Sequence, residues 1–134
     1  MDYVSIIQLV EQQGAKLMLE GQHIRIKGGK SLPAALIEAI KANKPKILDI
    51  LEKDKPAKEK GLVVGVPGEV YFATVKSSFD YEMTVYMEQQ GTSWLVWRET
   101  HTKGKPAATK DIYEGTSFTK ALVKAIRYIQ AVRR

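Results

Sequence analysis

Hydrophobic and polar positions alternate with a changing period along the chain, and the period marks out the elements. Val4, Ile6, Ile7, Leu9 and Val10 form one broad helical stripe, which predicts a helix over 4–13 ended by Gly14. The period then falls to two. Leu17, Leu19, Ile24 and Ile26 alternate with Lys16, Met18, His23, Arg25 and Lys27 around a glycine-containing turn, the pattern of a β-hairpin. Ser31 stands where a helix N-cap belongs, Pro33 suits the first turn, and Leu36, Ile37 and Ile40 form the next stripe. Asn43-Lys44-Pro45 breaks that helix, because proline disfavours helical geometry in the residue before it. Ile47, Leu48, Ile50 and Leu51 predict a third, short helix.

Residues 54–60 are charged, include Pro56 and lack a large apolar side chain, so they read as a linker. The domains expected are therefore 1–53 and 61–134. Beyond the linker the period is mostly two. Strands are predicted over 62–66, 70–75, 82–88 and 93–100, followed by a polar loop over 102–110. Ser117 is the expected cap of a last helix, with Leu122, Ala125, Ile126 and Ile129 on its apolar face. The fold class expected is α+β: a helix–hairpin–helix–helix unit, then an antiparallel sheet of about four strands packed by a C-terminal helix.

Composition narrows the function classes. The chain has 134 residues, 44% of them hydrophobic, enough for a packed core. Cysteine is absent, which excludes disulfides, thiolate catalysis and cysteine-based metal sites. No apolar run approaches the length of a membrane span, and the first residues lack the pattern of a secretion signal. A cytoplasmic protein with no membrane partner is expected. The net charge of +6 favours acidic partners, either acidic peptides or nucleic acid. The excess is weighted to residues 60–134, where eleven Lys/Arg face seven Asp/Glu.

Catalysis is hard to build from these residues. His23 and His101 are the only histidines, and neither has a second strong ligand at metal-binding spacing. The carboxylates are scattered and mostly beside lysines, so no acid/base dyad stands out. Gly28-Gly29-Lys30-Ser31 lacks the earlier glycine of a phosphate-binding loop. A non-enzymatic protein without cofactor or metal is expected.

Two surfaces carry the binding hypotheses. The polar face of the hairpin, with Lys16, Met18, His23, Arg25 and Lys27, suits an extended acidic segment added along an open strand edge; an edge guarded by solvated charges has the same composition. The second surface is the aromatic set Tyr71, Phe72, Tyr81, Tyr86, Trp94 and Trp97, read chiefly as core packing and otherwise as a base-stacking surface. Arg98 and the basic helix positions Lys120, Lys124 and Arg127 are the candidate nucleic-acid contacts.

The first segment resembles the N-terminal docking domain of the TubC type, found at the ends of nonribosomal peptide and polyketide synthase subunits. The resemblance lies in Ile7, Leu9 and Val10 before Gly14, in Leu17, Leu19 and Gly21 before Ile24 and Ile26, and in the helical series Ser31-Leu32-Pro33, Leu36, Ile40, Lys44, Ile47, Leu48 and Leu51. It covers residues 1–53. It implies an αββαα fold, a homodimer, and capture of a short acidic segment from a partner's C-terminus. That role would fall on Arg25 and Lys27, flanked by Lys16, Met18 and His23. Domains of this kind also accompany proteins of mobile elements and DNA-handling systems. That setting suits the alternative, a nucleic-acid-binding accessory protein using residues 61–134, a segment that resembles no family.

Overall fold

The computed structural model describes residues 2–29 and 32–133. They form two compact units: residues 2–56 with Val66–Gly68, and Ala57–Gly65 with residues 69–133.

The first unit opens with α1, Tyr3–Gln12. Asp2 caps it, its carboxylate accepting from the Ser5 N–H at 2.8 Å, and this hydrogen bond holds the Asp2 carboxyl below its ordinary pKa. Strands β1, Lys16–Glu20, and β2, His23–Lys27, pair antiparallel. Gly21, at φ +61°, is the first central residue of their two-residue turn, a place where glycine carries no steric penalty. Helices α2, Ala34–Ala42, and α3, Lys44–Glu59, follow. Pro33 is the N-cap residue of α2, with no side-chain cap bond, and the expected Ser31 cap lies outside the described residues. At the break between the helices, the Asn43 side chain donates to the Ala39 carbonyl at 2.8 Å. The core gathers Ile6, Ile7 and Val10 of α1, Leu17 of β1, Leu36 and Ile40 of α2, and Ile47, Ile50 and Leu51 of α3.

The charged segment 54–60 corrects the expectation of a linker, since α3 stays helical through Glu59 with Pro56 inside it. Burial of small and polar groups explains the difference. Ala57 is fully buried, and Asp54 is buried with its carboxylate accepting from the Gly68 N–H at 2.9 Å. A search for large apolar side chains passes over both residues.

The second unit is built on a meander of β3 (Val63–Val66, whose last residue counts with the first unit), β4 (Val70–Ser78), β5 (Tyr81–Gln90), β6 (Ser93–Thr102) and β7 (Ala108–Gly115), in that spatial order. Helix α4, Phe118–Arg133, covers one face. Tyr71, Val85, Met87, Trp94 and Val96 of the sheet meet Ala121, Leu122, Ala125 and Ile129 of the helix in one core. Ser117 caps α4 as expected, its Oγ accepting from the Lys120 N–H at 3.2 Å. The sheet has five strands rather than four. Strand β7 escapes sequence reading because it is an edge strand whose first half, Ala108 to Asp111, is wholly exposed. A register shift between Val96 and Trp97 further breaks its alternation.

Candidate functional site

The register of the hairpin brings the five sequence-predicted residues together. Lys16 lies opposite Lys27, Met18 opposite Arg25, and Glu20 opposite His23. Residues alternating along a strand share a face, so these three pairs form one exposed surface. Glu20 belongs to it and was missed. The alternation that selects Lys16 and Met18 also selects position 20, but a search for basic residues passes over a carboxylate. Arg25 and Glu20 form an ion pair at 3.6 Å, with both side chains about two-thirds exposed (66% and 67%). Such a pair is worth less than ~1 kcal/mol in water, so Glu20 holds Arg25 only weakly.

The opposite side of β2 borders a groove of about 220 Å³. Ile24, Ile26, Ile37 and Ile40 give it apolar walls, with Lys41 and Lys44 contributed by the ends of α2 and α3 and His23 by β2. Ile24, Ile26 and Ile37 are only partly buried and pack at the margin of the core. Periodicity marks these isoleucines as core but does not say that the core is open on this side. The sequence signal for Lys41 was its spacing of four from Ile37 within α2, whereas Lys44 lies beyond the break at Asn43 and had no such signal. Among the described residues, β2 has β1 as its only sheet neighbour, so one of its edges has no paired strand. Basic face, open edge and apolar groove thus converge on β2.

The candidate nucleic-acid contacts are not one site. Arg98 pairs in register with Val85, a core residue, and so lies on the α4 face of the sheet. Its Nη1 donates to the Tyr128 hydroxyl at 2.5 Å, and its guanidinium lies 5.9 Å from that ring's centroid. Lys120, Lys124 and Arg127 share the exposed side of α4. The aromatics divide likewise. Tyr71 and Trp94 pack with Phe118 in the core, at centroid distances of 6.0 Å (Tyr71–Phe118) and 5.0 Å (Trp94–Phe118). Tyr81 is packed at the core margin. Phe72, Tyr86 and Trp97 run side by side across the other face, with 6.1 Å between the first two rings and 4.5 Å between the last two. Burial, then Glu99, then Glu82 raise the Tyr86 phenol above its ordinary pKa. The Trp97 Nε1 is shut off from solvent without an acceptor.

His23 is exposed on the hairpin, and His101 contacts Glu99 at the end of β6. Among the described residues, no group of three or more histidines and carboxylates could hold a metal ion, and no helix is long and apolar enough to cross a membrane. Comparison of the chain with protein-family models, curated proteins and solved structures gives no match.

Proposed function

We propose that the first unit is a docking module of the TubC type, which captures an acidic, extended segment of a protein partner without catalysing a reaction. The observation that carries this reading is the convergence on β2 of an open edge, a basic face and an apolar groove. A strand added at that edge would alternate its side chains between two environments. Carboxylates on one side would meet Arg25 and Lys27, with Lys16, Met18 and His23 flanking them. Apolar side chains on the other would enter the groove beside Ile24, Ile26 and Ile37, with Lys41 and Lys44 at its rim. Main-chain hydrogen bonds would supply affinity, and the two sets of side chains specificity. The absence of cysteine agrees with a cytoplasmic setting.

Calorimetric titration of the full chain with short acidic peptides of alternating apolar and carboxylate positions tests the reading. Charge reversal by Arg25→Glu and Lys27→Glu should weaken binding at least tenfold, on the order of 1.4 kcal/mol. Unchanged affinity would reject the assigned face. The same reading includes a homodimer, so sedimentation should find the full chain dimeric at micromolar concentration.

The second reading is a nucleic-acid-binding accessory protein. It is favoured by the alignment of Lys120, Lys124 and Arg127 on the exposed side of α4. Phosphate contacts would make oligonucleotide binding fall steeply with salt. Absence of binding at low salt would eliminate it.

A further inference from the structure

Four rows cross the sheet on the face turned away from α4. They run through Val70–Glu88–Leu95–Glu114, Phe72–Tyr86–Trp97–Asp111, Thr74–Thr84–Glu99–Thr109 and Ser77–Glu82–His101. The rows carry five carboxylates: Glu82, Glu88, Glu99, Asp111 and Glu114. No lysine or arginine shares the rows, although the chain as a whole carries a net charge of +6. In their midst lies the continuous aromatic band Phe72, Tyr86 and Trp97, each ring only half-buried.

We propose that this face is a second docking surface, for an arginine-bearing polypeptide segment of another protein. The chemistry on the page selects that occupant. Carboxylates around the rings repel a phosphate backbone, which argues against stacked nucleobases here. A guanidinium satisfies both features at once. Its planar face stacks on the negative face of an aromatic ring, while its N–H edge pairs with a carboxylate. Tyr86 and Trp97 are stacked on each other, inclined at 17° with centroids 4.5 Å apart, so the planar guanidinium can extend the stack as a further layer. Glu99 and Glu82, whose charges are felt at the Tyr86 hydroxyl, stand beside it for the edge. An ammonium group supplies charge without the stacking plane, so arginine should be preferred to lysine. The two surfaces are then opposite in sign: the hairpin takes an acidic segment, and the sheet a basic one.

Anisotropy titration of the full chain with a labelled arginine-rich peptide, and with its lysine counterpart of equal charge, tests the assignment. The arginine peptide should bind several-fold more tightly and alter tryptophan emission. The double variant Glu82→Gln/Glu99→Gln should bind it about tenfold more weakly, with circular dichroism unchanged. Equal binding of the two peptides, unaltered affinity of the double variant, or no binding at low salt would each overturn the proposal. Concentration-dependent self-association abolished by the double variant would also overturn it, because the face would then belong to a second copy. None of these outcomes bears on the hairpin, whose probe is an acidic peptide and whose variants lie in the other unit.

Discussion

Single residues decide how the folded units resist change. Trp94 and Trp97 lie three positions apart yet have opposite surroundings. Trp94 is 3% exposed and packed against Phe118, so Trp94→Ala should cost ~3–5 kcal/mol in chemical denaturation. Trp97→Phe should cost less than ~1 kcal/mol. It keeps a ring on Tyr86 and removes an indole N–H that has no acceptor. Gly68 combines φ +73° with an Ile50 carbon 2.9 Å from where a Cβ would stand. Gly68→Ala should therefore lose more stability than the ~1–2 kcal/mol of left-handed strain alone. Gly91→Ala, at φ +62° with open space around it, should lose only that strain. Tyr86 adds a pH dependence. Its raised pKa means that the folded state holds the phenolic proton more firmly than the unfolded chain does. The resulting stabilisation is complete below pH 10.0, the ordinary phenol value, and is lost as pH rises through the higher folded value. Alkaline difference spectroscopy should show a late-titrating phenol signal that Tyr86→Phe removes.

At the scale of elements, legibility followed exposure. Where one side of an element is buried and the other wet, the period is written plainly. Hence α1, the hairpin and α4 stand near their expected limits. Strand β7 was hidden because only Ile112 and Tyr113 of its residues pack against the core. The last turns of α3 were hidden because alanine and aspartate hold them. The site was legible in the same measure. Lys16, Met18, His23, Arg25 and Lys27 could be assigned to one face by alternation within each strand. The groove could not, because its walls come from β2, α2 and α3 and depend on how those elements pack. Arg98 shows the reverse failure. Adjacency to Trp97 in sequence suggested a shared surface, but neighbours in a strand point to opposite faces, and Arg98 is held by Tyr128.

At the scale of the whole molecule, charge is sorted by surface rather than spread evenly. Basic residues mark the hairpin and the outer side of α4, while carboxylates ring the aromatic band of the sheet. Salt should therefore weaken capture of acidic and of arginine-rich peptides alike, since both depend on exposed charge. A titration at two ionic strengths with each peptide checks this.

The Asp54–Gly68 hydrogen bond has a consequence for modularity. The first unit takes in Val66–Gly68, so it is not a contiguous stretch of sequence that can be excised or transplanted. A graft of residues 1–53 onto another protein would leave behind both partners of that bond and the end of α3. Loss of the buried bond alone is worth ~1 kcal/mol. Thermal melting should therefore find a 1–53 graft less stable than one extended through residue 70. Fusion designs and recombination points placed within residues 54–59 would cut through a helix.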